Sequence, residues 1–202
     1  MGNSIPAEAS DARILAAAAD HLRRFGAPRT TIVAIARDVG MSHANVYRYF
    51  PSKEALIDAV AAQWLKPLET ALHDIADGPD PADDKLERML SAIQRAYRSE
   101  LDGDPNLFLI FAAAVEQGRG IARKHRSRVQ SEIQRVVEEG INGGLFAFPD
   151  TRRALTLIFD ALHRFLHPVA VRTDRDIPGG QLEARFAMMM RLVLHALATR
   201  RI

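Results

Sequence analysis

The chain has 202 residues, 48% hydrophobic and 26% charged, an ordinary balance for a folded globular protein of one large or two small domains. It has no cysteine, which excludes disulfides, thiolate metal sites and cysteine nucleophiles and suits a reducing cytoplasm. The net charge of +2 lies in residues 1–66, which carry eight Lys/Arg against six Asp/Glu, while residues 67–202 carry nineteen of each; any contact with an acidic polymer would therefore rest on placed groups rather than a broad basic field. No apolar run is long enough to span a bilayer. Glu8, Asp11, Arg13 and Asp20 interrupt the alanine-rich start, and no positive region precedes it, so it does not read as a signal peptide. No phosphate-binding loop, dinucleotide fingerprint, HExxH helix or nucleophile elbow is present, so the chain reads as a non-enzyme without a cofactor.

In chain order, Met1 to Ala9 reads as a loose arm. A first helix, capped by Ser10 or Asp11, carries Ile14, Leu15, Ala18, Leu22 and Phe25 at helical spacing and ends at Gly26 and Pro28. Arg13, Arg23, Arg24 and Arg29 read as solvated surface more readily than as phosphate contacts. Thr31 caps a short helix from Ile32 to Val39, and Gly40 turns the chain because glycine alone takes positive φ without steric cost. Ser42 caps a second short helix, His43 to Phe50. Ala36, Val39, Met41 and Val46 are placed to fill the small core between the two helices, which is the pattern of a helix-turn-helix. The outward face carries Ser42, His43, Asn45, Tyr47, Arg48 and Tyr49, with one fixed positive charge and no acid, which suits a DNA major groove. Ser52 then caps a helix whose Lys53 can reach a phosphate.

Thr30-Thr31, Ile35-Ala36, Val39-Gly40-Met41-Ser42, Val46-Tyr47-Arg48-Tyr49-Phe50 and Ser52-Lys53-Glu54-Ala55-Leu56 together resemble the DNA-binding domain of the TetR family of transcriptional regulators. The run Arg13 to Ala19, with Leu22, Phe25 and Gly26, resembles that family's first helix, so the likeness extends from about Ala12 to Leu56. The resemblance implies an all-α protein with an N-terminal three-helix DNA-binding domain and a C-terminal helical domain for ligand binding and dimerisation. It further implies a homodimer, a double-stranded DNA operator with twofold symmetry, and a connecting helix that transmits a ligand signal. On this reading residues 1–51 bind DNA, residues 52–77 connect, and residues 78–202 bind ligand and dimerise. Ser42, His43, Asn45 and Tyr47 would touch bases or nearby phosphates; Thr31, Arg48, Tyr49 and Lys53 would mainly touch phosphate.

The connecting helix carries an apolar stripe of Leu56, Val60, Trp64, Leu68, Leu72 and Ile75, with an interruption expected at Pro67. Asp77 to Pro81 is a linker. A helix from about Ala82 to Leu101 turns Leu86, Met89, Leu90, Ile93 and Tyr97 inward, and Asn106 to Gln117 is apolar all round and so buried. A long helix follows to about Glu139. Its basic start, Arg119 to Arg128, reads as a solvated face balanced by carboxylates, with an additional phosphate or acidic-ligand contact as the second reading. Gly140 to Asp150 is a loop resembling the glycine-rich turn before the penultimate helix of many TetR-like proteins. Thr151 to His167 is then one helix, Val169 to Gly180 a polar connection, and Gln181 to about Arg200 the last helix. Leu155, Ile158, Phe159, Leu162, Phe165 and Leu166 wrap most of the way round the penultimate helix, which suggests a four-helix dimer interface built from the last two long helices.

A pocket for a mostly apolar small molecule is expected among the central helices, with Trp64, Leu68, Met89, Ile93, Tyr97, Phe108, Phe111, Val115, Ile133, Phe159 and His163 as candidate walls; the same residues suit a plain core. Asp160, His163 and His167 fall near one helical face. They leave open a metal-sensing regulator of the same architecture, although the main reading assigns no metal. The same pattern is also compatible with an activator in place of a repressor, and with an enzyme that kept the fold and lost DNA binding.

Overall fold

The computed structural model describes residues 7–148 and 150–199; of the loose arm expected from Met1 to Ala9, residues 1–6 lie outside them, and Ala7 to Ala9 are instead the start of the first helix. The described residues form eleven helices and no strand: α1 Ala7–Arg29, α2 Ile32–Asp38, α3 His43–Tyr49, α4 Lys53–Ala76, α5 Ala82–Gly103, α6 Pro105–Glu116, α7 Gly120–Asn142, α8 Thr151–Ala161, α9 His163–Leu166, α10 Pro168–Thr173 and α11 Gly179–Ala198. None of them is long and apolar enough to cross a membrane. α1 begins before the expected caps, so Ser10 and Asp11 lie inside it, and it is broken at Gly26, where φ is 70°.

The helix-turn-helix forms from local signals. Thr31 Oγ1 accepts from the Ala34 N–H, and Ser42 Oγ accepts from the Asn45 N–H, each at 3.2 Å. Between them Gly40 takes φ 67°, the Met41 N–H donates to the Ala36 carbonyl at 2.8 Å, and the Gly40 N–H donates to Arg37 at 3.1 Å. This paired arrangement closes a helix end and holds the turn. Arg13 adds a guanidinium bond to the Val39 carbonyl at 2.9 Å, tying α1 to the same turn.

Two apolar cores meet along α4 and α6. The N-terminal core contains Ile14, Leu22, Ile35, Ala36 and Val46, but also Leu56 and Val60 of α4 and Leu107 and Ile110 of α6. Each large aliphatic side chain buried there contributes about 1.5–3 kcal/mol relative to exposure. The larger core joins α4 and α5 to α11. Trp64 packs against both cores, with its ring 5.8 Å from Phe111 and 6.4 Å from Phe108, and its indole N–H donates to Glu100 at 3.0 Å. Arg23 pairs with Asp104 at 2.7 Å, and the Asn106 amide donates to the Arg23 carbonyl, so α6 is fastened to the end of α1.

Three further expectations about the elements are corrected. α4 runs through Pro67 without interruption, because Pro67 and Gln63 both lie on the exposed face, where a freed carbonyl can be hydrated. α7 extends to Asn142 and places Gly140 inside the helix, where an added Cβ would lie 2.2 Å from the Phe146 ring. The segment Thr151 to His167 is not one helix: it breaks at Leu162, and the expected polar connection begins with α10, held through Arg164 and the buried Asp174 at 2.7 Å.

Candidate nucleic-acid interface and ligand cavity

Around α3 the eight residues expected to meet DNA occupy three different settings. Ser42, His43, Tyr47 and Arg48 are exposed on its outer face, as is Thr31 at the start of α2. Thr31 and Ser42 spend oxygen lone pairs as caps, which leaves each hydroxyl hydrogen free to donate to a phosphate. Asn45 is half-buried, and Tyr49 packs its ring against the N-terminal core, so Tyr49 buttresses the helix as well as bordering the face. Lys53 departs further from expectation. Its ammonium donates to the Ala27 carbonyl at 2.7 Å, closing the loop after Gly26 instead of standing free. Sequence reasoning passed over Val33, which is 65% exposed on α2, and Arg37 on the same helix, also exposed. An apolar residue on an amphipathic helix reads as core until its face is known.

The second feature is a cavity of about 930 Å³ between α5, α6, α7 and α8. Ile93, Tyr97, Phe111, Val115, Phe159 and His163 line it, as the sequence led one to expect. Met89, Phe108 and Trp64 do not, and neither do Leu68 and Ile133. The reason is helical register. On α5 the cavity side is Ile93 and Tyr97, four residues apart; on α6 it is Phe111 and Val115, again four apart. Met89 and Phe108 are sealed in the core, and Trp64 stands behind Phe111. The basic start of α7 is not simply a solvated face: Arg123 and Arg126 border the cavity, followed on the same face by Gln130 and Gln134. Arg119 is instead paired with Asp58 of α4 at 2.6 Å.

One wall of the cavity rests on a buried polar chain. Tyr97 and His125 are 4% and 2% exposed, and Glu69 of α4 is 8% exposed. The His125 Nδ1–H donates to a Glu69 carboxyl oxygen at 2.9 Å, and Nε2 of the neutral ring then accepts from the Tyr97 hydroxyl at 2.9 Å. Arg128 holds the other Glu69 oxygen at 2.7 Å. Burial lowers the His125 pKa, outweighing the upward pull of Glu69, which favours this neutral ring. Burial, reinforced by Glu69, pushes the Tyr97 phenol above its ordinary range and keeps its proton in place. Neither Glu69 nor His125 stands out in the sequence, because a polar residue recurring in an apolar stripe looks like surface until its partner is known.

Asp160, His163 and His167 all border the cavity, but they do not form a metal site. The two imidazoles stack 4.6 Å apart with planes 17° from parallel, so their in-plane lone pairs do not converge. Among the described residues no group of three or more His, Asp or Glu is arranged around a common point for a metal ion.

Residues 14–60 match the bacterial regulatory proteins of the tetR family, and residues 82–189 match the tetracyclin repressor-like C-terminal domain. The chain belongs to the TetR family of transcriptional regulators. Within it, the regulator RutR of Escherichia coli (strain K12) is 40% identical over 88 residues, which are 42% of this chain and 41% of RutR, so the match spans less than half the length of either protein. A TetR/AcrR-family regulator from Thermobifida fusca shares the fold with a TM-score of 0.67 at 21% identity, over 96% of this chain and 100% of its own. RolR in complex with resorcinol does so with a TM-score of 0.64 at 20% identity, over 96% of this chain and 95% of its own. In this TetR-family chain the regular elements of the described residues are all helices, and the helix-turn-helix is α2 and α3.

Proposed function

We propose that the chain acts as a homodimeric repressor that binds a palindromic operator and is released when a small molecule fills the cavity. The observation that carries this reading is the position of α6. Ile110 lies in the core beneath the helix-turn-helix, and the next residue, Phe111, lines the cavity. α4 makes a second connection, with Leu56 and Val60 in the N-terminal core and Glu69 bonded to His125 on the cavity wall. Reshaping the cavity would therefore move elements that the DNA-binding domain cannot pack without. A molecule releases DNA on this account only if it binds the free protein more tightly than the DNA-bound one. RolR, which has this fold, binds resorcinol, which supports a small organic molecule as the kind of effector.

The dimer face we assign lies mainly on α11. Most of the apolar surface of the Thr151–His167 segment is absorbed by the chain's own core, since Leu155, Ile158, Leu162, Phe165 and Leu166 are all buried. On α11 Met188 and Leu192 stay 56% and 57% exposed, four residues apart on one face. Pairing such faces across a twofold axis would set two recognition helices one DNA turn apart, to act on chromosomal DNA in the cytoplasm. Selection of bound sequences from random duplex DNA tests the reading. A palindromic winner is expected; absence of enrichment at any salt concentration overturns it.

A further inference from the structure

The cavity has an apolar side and a basic side. Phe111, Val115, Leu155 and Phe159 supply the first. Arg123, Arg126 and Arg152 border the other, against a single carboxylate, Asp160. Among the described residues Arg126 and Arg152 form no ion pair, whereas Arg119 at the head of the same helix as Arg126, and Arg128 within it, are each paired with a carboxylate of α4. His167 adds a buried Nδ1 that meets no hydrogen-bond partner, an arrangement that buried polar atoms rarely keep. Arg126 and His167 both border the cavity, and burial, then neighbouring His163 and the positive charge of Arg126, hold the His167 pKa down. Three guanidinium groups against one carboxylate, on a cavity border that also holds a nitrogen without a partner, are what an acidic group would complete.

We propose that the cavity takes an amphipathic organic anion, with its apolar body between Phe111 and Phe159 and its acidic head at Arg126 and His167 Nδ1. This rests on reading the cavity as the effector site and narrows the effector to a chemical class. A carboxylic acid and a phosphate monoester share that chemistry. A guanidinium can hold either in a two-bond fork, and the His167 ring, protonated by the approach of the anion, donates a third bond.

The test titrates the full-length protein with matched probes: decanoate, decyl phosphate and decanol, and phenylbutanoate with phenylbutanol. Heat of binding and Trp64 fluorescence are the readouts, since Trp64 packs directly on Phe111. At least one acid should bind roughly tenfold or more tightly than its alcohol, with the preference falling at higher salt. The Arg126→Gln variant should erase most of that preference, and Arg126→Lys should restore part of it; the side chain is exposed, so neither change threatens the fold. The relative affinity of decanoate and decyl phosphate identifies the head group. If no acid outdoes its alcohol, the proposal is overturned. If the preference survives in Arg126→Gln, the assigned seat of the head is wrong. Alcohols that match the acids and still release operator DNA would sink the anion proposal alone. Acids that bind with the Arg126 dependence yet leave operator affinity unchanged would sink the effector reading instead.

Discussion

The chain from Tyr97 through His125 to Glu69 makes a quantitative prediction. His125→Phe keeps an aromatic ring in a site only 2% exposed but breaks two hydrogen bonds at once. It leaves the Tyr97 hydroxyl buried without a partner, which costs about 1–3 kcal/mol. It also takes one of two donors from Glu69, which keeps Arg128 at 2.7 Å and so is not left as an isolated charge. Together these give a loss of about 2–4 kcal/mol. Tyr97→Phe alone strands only the Nε2 lone pair and should cost about 1 kcal/mol. Once His125 is phenylalanine, however, the hydroxyl is an orphan, and removing it should be neutral or stabilising. The double mutant should therefore be no less stable than His125→Phe, a coupling of at least about 1 kcal/mol. Urea unfolding of all four proteins at one protomer concentration measures it, the fixed concentration being required by the dimer proposed above. Additivity within about 0.5 kcal/mol would refute the chain as drawn.

The same histidine gives the pH dependence. Its folded pKa lies below the ordinary value, so the unfolded chain binds the extra proton first; stability should be full above about pH 6.5 and fall as pH drops toward the depressed folded value, as read from urea midpoints across that window. Gly140→Ala should destabilise the fold by about 1–3 kcal/mol, read as a lower urea midpoint, because the new methyl overlaps the Phe146 ring. Leu192→Glu on the exposed face of α11 should yield a monomer by light scattering with its helical circular dichroism retained; an unchanged dimer mass would move the interface elsewhere. Asn45→Ala should relax sequence preference by about 1–3 kcal/mol at one operator position, whereas Arg48→Ala should weaken all duplexes alike and flatten the salt slope, both read by fluorescence anisotropy.

The helix-turn-helix was legible because its determinants are local: three hydroxyl caps and a glycine at positive φ can be read from neighbouring residues. The cavity was legible only in part. α6 is apolar on every side, so sequence alone could not say that Phe111 faces the cavity while Phe108 is sealed from it. Register against α5 and α7 decides that, and it is a tertiary property. The break at Leu162 is hidden for a similar reason, since no glycine or proline marks it and Pro168 lies six residues on. Glu69 is the sharpest omission: a carboxylate in the middle of an apolar helix becomes informative only when His125 and Arg128, more than fifty residues away, are seen beside it. Lys53 shows the converse, a residue that a motif points toward DNA and the fold turns onto its own Ala27 carbonyl.

The most direct measurement is the affinity of the full-length protein for its selected duplex and for a scrambled duplex of the same composition, across a salt series. The expected result is two protomers per duplex and a preference of about a thousandfold or more at physiological salt. Equal affinity for both duplexes at every salt concentration would contradict the account, leaving α2 and α3 as architecture without a reading function.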